Sequence, residues 1–405
     1  MLGSGISKKG WGCGAALLLG LAGGCAATAG QTLNQTSGPW VMERSGTTAG
    51  LRGIHAVGGG VAWASGTNGT VLRTEDGGYE WQSCAMAPGA EKLDFRGIWA
   101  WDANTAIVMS SGPGDASRLY KTTDGCSSWK LLFTNPDKDG FWDAMAFADR
   151  EYGILLGDPT VVEHRSPQGF AKGSVSELEM TFMTTFDGGA HWVRQRVDFP
   201  ADRPPPLAVP RGTGSFAASN SALLMEDHKA WFGVGGEPGS FVFLSNWYGP
   251  AQPDVICDCI FSKPPNQIWF AGRVRVPMAG GTASSGVFSL DWKASGVPGE
   301  AGILIAVGGD YTKPNESTRT AAWSADGGKT WTAAAKPPHG YRSAVAWDAE
   351  ANAWITAGTN GSDISYDDGK TWEPLDDGNW NALSLPWVVG PEGRIAKLGK
   401  LPPRK

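Results

Sequence analysis

Arg52, Arg96, Asp143, Asn220, Arg342 and Asn381 fall at equivalent places near the starts of successive repeated segments, and they are the residues best placed for chemistry. Three guanidinium groups with an aspartate and two amides around one opening would suit a carboxylate or an acidic peptide, because a planar guanidinium meets a carboxylate through paired hydrogen bonds. A second set, Asp158, Glu237, Asp310 and Thr359, follows the second segment of each repeat. If the chemistry were glycoside hydrolysis, two opposed carboxylates would be required, and Asp143 with Asp158 or Asp310 are the candidates. The structural alternative is that these side chains cap strand ends and bond neighbouring backbone. No dinucleotide fingerprint is present and the five His residues form no spaced pair, so neither a cofactor nor a metal is expected.

The elements that would position these residues are announced by a motif. Thr74-x-Asp76-x-Gly78-x-x-Trp81 recurs with the same spacing around Asp187 and Trp192, Asp326 and Trp331, and Asp367 and Trp372. A fifth copy, around Asp124 and Trp129, carries Cys126 in place of the glycine. Each Asp can accept backbone N–H groups two or three residues on, the Gly supplies a positive φ, and the Trp packs beneath the turn. These are hairpin corners, and their aspartates are read as structural.

Before each corner the chain alternates apolar and polar residues through two segments split by a Gly-rich turn, as at 51–66 and 95–112. Each unit reads as four antiparallel strands, and sheets of that kind arranged radially make an all-β propeller. Seven blades are expected, with eight as the alternative. The region 248–284 carries no corner and reads as an irregular insertion, and 198–215, rich in proline, reads as a long excursion on one rim. The last unit lacks a fourth strand, which Trp40-Val41-Met42-Glu43 would supply, so one propeller domain spans 40–398 with a short tail at 399–405.

Composition agrees: 58 Gly, 26 Pro and 20 Trp in 405 residues suit short strands and tight turns, and a net charge of −6 offers no footprint for nucleic acid. Residues 1–30 resemble an export signal, with Lys8 and Lys9 ahead of a short apolar run. The sequence around Cys25 offers a lipid-anchor alternative. The expected location is periplasmic or extracellular. Export permits disulfides, and Cys84 and Cys126 lie where adjacent repeats could face each other, while Cys257 and Cys259 lie two apart. Buried free thiols are the alternative for all four.

The S/T-x-D-x-G-x-x-W corners resemble the bacterial neuraminidase repeat, or Asp box. The longer form G-x-x-G-x-[IV]-x-x-[ST]-x-D-x-G-x-x-W fits at Gly66–Trp81 and Gly358–Trp372, and together with Arg52-Gly53-Ile54 and Arg96-Gly97-Ile98 it resembles the photosystem II stability/assembly factor family. That resemblance implies an exported, non-enzymatic seven-bladed scaffold with a protein partner, which in plants and cyanobacteria is a photosystem reaction-centre protein. A membrane-associated partner and a monomeric state are therefore the expectation, with carbohydrate as the alternative ligand. Asp boxes are shared by sialidases and xyloglucanases, which makes a glycoside hydrolase the alternative function. A sialidase would need an arginine triad and a Tyr–Glu pair. Tyr341 beside Arg342 and Tyr311 beside Asp310 are the suggestive tyrosines, but no F/Y-R-I-P segment opens the propeller.

Overall fold

The structure is a computed structural model, and it describes residues 38–165, 174–195, 207–226, 228–247, 268–297 and 300–404. The export-signal and lipid-anchor readings, Cys25, Cys257 and Cys259 all lie outside those residues. Thr36–Lys405 form one compact unit.

Strands account for nearly all regular structure, and consecutive strands pair antiparallel. Five sheets have four strands each, spanning 51–83, 95–134, 142–194, 344–376, and 382–398 with 40–43. A sixth sheet has nine strands. Within it 223–275 and 285–333 are two consecutive four-strand runs, joined where Gly235 pairs with Gly286. The first strands of all these runs touch one another in a closed cycle: Leu51–Gly58, Phe95–Ala100, Trp142–Phe147, Leu223–Glu226, Ser285–Lys293, Ala344–Asp348, Ala382–Ser384 and back to Leu51–Gly58. That cycle is the inner wall of a β-propeller. Apolar clusters lie between neighbouring runs, such as Leu51, Leu72 and Trp81 against Trp387 and Val389, or Ile107 and Met109 against Trp142 and Leu155. Burial of apolar area between the sheets is the main force holding the ring together.

The ring closes through Trp40–Glu43, which pairs antiparallel with Ile395–Leu398, Trp40 opposite Leu398. Its contacts reach both neighbours. The Trp40 indole donates to Ser362 Oγ at 3.0 Å. Glu43 Oε2 accepts the indoles of Trp81 at 2.9 Å and Trp387 at 3.1 Å, one from the first sheet and one from the last.

The corners hold through a hydroxyl as much as through the carboxylate. Thr74 Oγ1 donates to Asp76 Oδ1 at 2.9 Å and accepts the Gly78 N–H at 3.0 Å, while Asp76 Oδ1 accepts the Glu80 N–H at 3.1 Å. The same triangle recurs at Thr122, Thr185, Ser324 and Ser365. Backbone bonds to the carboxylate come mainly from four residues on, farther than the sequence reading placed them. Gly78, Gly189, Gly328 and Gly369 have φ of 92°, 88°, 88° and 76°, and Cys126 adopts 62° in their stead. Cys126 is joined to Cys84 by a disulfide between the first two sheets.

Region 248–284 is not wholly an insertion. Ile268–Arg275 is a strand, paired along Phe241–Trp247 as the outer member of its run. An outermost strand buries only one face, so Arg273 and Arg275 can point outward over the Phe241 ring and no corner motif is needed.

Candidate functional site

The mouth of the ring is built by β-bulges, in which one extra residue interrupts the ladder and its side chain is re-aimed. Pairing skips from Leu51 to Gly53, from Phe95 to Gly97 and from Trp142 to Ala144. The extra residues are Arg52, Arg96 and Asp143. A fourth bulge of this kind skips from Val287 to Ser289 and re-aims Phe288. Phe288 gives no signal in the sequence, because the mouth is legible there only through polar residues at unit starts and this unit has none at that place.

Asp94 joins the two open arginines. Its Oδ2 takes Arg96 Nε at 2.9 Å and its Oδ1 lies 3.7 Å from Arg52 Nε. Arg52 Nε completes no hydrogen bond among the described residues, and its side chain is 36% exposed. Arg96 also donates through Nη1 to the Ala217 carbonyl at 3.2 Å. Beside them Asp143 is buried, with Oδ2 unpartnered among the described residues. Burial first, then the charge of Asp158, holds the Asp143 carboxyl well above the usual carboxylate range, against the pull of Arg96. Burial also raises Asp158, offset by the Ser215 N–H that its Oδ1 accepts at 3.1 Å.

Other candidates sit elsewhere or are otherwise engaged. Arg342 does not open onto the mouth, which corrects the expected arginine trio. Its side chain is fully buried, ion-paired to the equally buried Asp363, and it donates to Asn360 Oδ1 at 2.6 Å and the Tyr341 carbonyl at 2.7 Å. A guanidinium taken out of water needs that counter-charge. His339 joins the cluster, with Nδ1 2.7 Å from Asp363 Oδ1 and Nε2 2.9 Å from the Asn360 carbonyl. Asn220, at φ 66°, clasps the Met145 peptide through both amide atoms, and Asn381 donates to the Leu51 carbonyl at 2.7 Å. Both amides tie chain segments together, as the structural alternative supposed. Asp310 binds Thr312 locally, and these bonds keep its carboxyl low although burial would raise it. Glu237 and Thr359 are exposed.

Tyr341 is buried edge-on to Phe288 at 4.8 Å, and burial raises its phenol well above the ordinary value. Tyr311 is half exposed, 6.2 Å from the same Phe288 ring. Chemically the mouth offers two guanidinium groups sharing one carboxylate, an aromatic wall and two acids that resist ionisation. Among the described residues no cluster of His, Cys, Asp and Glu could hold a metal ion.

Part of the expected rim excursion instead runs over this mouth. Thr213–Gly214 pairs with Gly236 and Gly235, the Phe216 ring stacks on Phe288 at 3.8 Å, and Ser219 Oγ donates to the Ser343 carbonyl at 2.6 Å.

No family model matches the chain, and no curated protein does. Among solved structures, one of YCF48 bound to D1 peptide is similar at 15% identity, covering 90% of this chain and 98% of that one, with a TM-score of 0.53. YCF48 from Cyanidioschyzon merolae is similar at 16% identity, covering 89% and 99%, with a TM-score of 0.51. An ancestral GH74 enzyme aligns at 13% identity over 88% of this chain and 42% of that one, with a TM-score of 0.45. At such identities the likeness to YCF48 is one of fold, and it agrees with the closed cycle of strands: this chain is a β-propeller.

Proposed function

We propose that this protein is an exported, non-enzymatic scaffold that binds a segment of a protein partner at the bulge-lined mouth. Each member of the strand cycle counts as one blade in this reading, giving seven. The observation that carries it is Arg52. Its Nε is buried 3.7 Å from Asp94 without completing a hydrogen bond, while the side chain as a whole is 36% exposed and can turn its outer N–H groups to a ligand carboxylate, with Arg96 anchored 2.9 Å from the shared Asp94. The YCF48 structure bound to D1 peptide supports a peptide ligand for a propeller of this shape.

The glycoside hydrolase alternative would rest on Asp143 and Asp158, the charge of Asp158 adding to the burial that raises the Asp143 carboxyl. Asp143 is only 1% exposed, however, and a nucleophile or general acid must touch its substrate.

The test is titration of the purified protein with a synthetic peptide of alternating Asp and Ala that ends in a free carboxylate. Binding should weaken about 150-fold or more in Arg52→Glu/Arg96→Glu, because charge-assisted contacts contribute about 1.5–3 kcal/mol each. Equal affinity of wild type and variant would refute the reading. Turnover of a β-glucan or a sialoside that vanishes in Asp143→Asn would replace it with the hydrolase.

A further inference from the structure

We propose that residues 213–221 are a tethered pseudo-ligand: the mouth already holds a peptide of its own, and a partner segment of the same chemistry enters by displacing it. The proposal rests on the reading that the mouth binds peptide.

The segment Thr213-Gly214-Ser215-Phe216-Ala217-Ala218-Ser219-Asn220-Ser221 interrupts what would otherwise be a continuous inner strand. Thr213–Gly214 pairs with the end of Lys229–Gly236, and Leu223–Glu226 pairs with its beginning. Between those two anchors the chain bows into the ring. It keeps the alternation of a strand, with Thr213, Ser215, Ala217 and Ser219 all buried, yet from Ser215 onward it leaves the ladder. Its contacts span sheets that are not neighbours: Arg96 of the 95–134 sheet holds the Ala217 carbonyl, and the Ser343 carbonyl, beside the 344–376 sheet, takes Ser219 Oγ. A loop that served only its own sheet would have no need to reach both.

The manner of binding is that of a recognised peptide. One main-chain N–H, from Ser215, is read by Asp158 at 3.1 Å. One main-chain carbonyl, of Ala217, is read by Arg96 at 3.2 Å. The side chain between them is read by shape. The Phe216 ring lies on Phe288 and against bare backbone at Gly235 and Gly286, where an added Cβ would come within 2.9 Å and 2.5 Å of the ring. Two glycines facing one aromatic ring make a slot that any larger residue would fill. Small residues on both sides of the phenylalanine let the chain lie flat.

The occupant for which the mouth is shaped is therefore an extended segment with one aromatic residue between small ones, in the order Gly-Ser-Phe-Ala. An acidic residue or carboxyl-terminus in the partner would add the Arg52 contact without entering the slot. As long as the tether is seated, a competing segment binds in proportion to the fraction of time that the slot is empty.

The experiment uses the full chain and an acetylated, amidated peptide copying residues 210–221 as probe. Phe216→Ala empties the slot, and this variant should bind the probe about ten-fold or more tightly than wild type. A probe with its own phenylalanine changed to alanine should lose that gain. Wild-type protein supplies an independent readout that does not depend on folding of the variant. Amides of 213–221 should exchange slowly in the free protein and faster when the probe is bound. A folded Phe216→Ala that binds both probes alike, or no faster exchange at saturating probe, would overturn the proposal. The acidic peptide of the preceding section separates the two readings. If it binds through Arg52 and Arg96 while the copied segment does not bind, the pseudo-ligand falls and the peptide scaffold stands. If only the copied segment binds, the acidic-peptide reading falls and the slot stands.

Discussion

Removing the cross-link between the first two sheets should expose two opposed effects at one residue. Cys84 and Cys126 are 42 residues apart in sequence. Closing a loop of that length in the unfolded chain corresponds to about 4 kcal/mol of stabilisation in the chain-entropy model. Cys126 also occupies the corner position where other copies have glycine, and its φ of 62° places a Cβ in the left-handed region at a cost of about 1 kcal/mol. The corner itself needs no thiol: Thr122 Oγ1 accepts the Cys126 N–H at 3.0 Å, and the Cys126 carbonyl accepts the Ala85 N–H at 3.1 Å. Cys84→Ser/Cys126→Ser should therefore lose about 4 kcal/mol, whereas Cys84→Ser/Cys126→Gly should lose about 3, because glycine relieves the strain. Equilibrium urea unfolding of both variants beside oxidised wild type measures the order. If the glycine variant proves less stable than the serine variant, the strain argument fails. If neither differs from wild type, the cross-link does not constrain the unfolded chain as argued.

Glu43→Ala should lower stability by about 2–4 kcal/mol, since two indole N–H groups lose one acceptor, and Glu43→Gln should recover most of it. Thermal melting of the two variants checks this, and an unchanged melt for alanine would deny Glu43 its role in closing the ring. His339 should make stability pH-dependent. Its imidazole is raised chiefly by the hydrogen bond to Asp363, so the native state holds the proton more firmly than the unfolded chain. That contribution is fully present below the unfolded value of ~6.5 and is lost as pH rises through the higher native value. Urea midpoints should accordingly fall across that window in wild type and flatten in His339→Gln, and a parallel slope in both would exclude His339 as the source.

What could be read along the chain was whatever closes within a few residues. The corners are hydrogen-bond circuits that close within seven residues, Thr74 to Glu80 in the first, so a Thr or Ser, an Asp, a Gly and a Trp at fixed spacing carry them whole. The closing strand was legible for a different reason. A four-strand unit missing its last member leaves an open edge, and Trp40–Glu43 is the short apolar run just before the first unit that could cover it, with Trp40 buried and Val41 and Met42 exposed. Strand Ile268–Arg275 was read as part of an insertion because an outer strand carries no corner to mark it. The mouth was half legible. Arg52 and Arg96 share the Arg-Gly-Ile signature of a bulge followed by a residue that must lie close to its neighbours: a Cβ on Gly53 would sit 2.7 Å from Ser65 Oγ. Arg342 occupies a similar place in its unit, yet its fate depends on Asp363, which comes beside it only after Ala353–Gly358 and Gly361–Ser365 have paired. No spacing rule applied to Arg342 alone could reveal that its charge is already matched.

The segment 213–221 carries this further. Its residues are small and weakly polar, with proline upstream, and along the chain they have the composition of a surface loop. Their burial comes from the ring, because Arg96, Asp158, Phe288 and Ser343 converge on them from different sheets only once the cycle has closed. Local patterns therefore specify the blades. The mouth itself is a property of the closed ring, and it has to be sought in contacts between segments that are far apart in sequence.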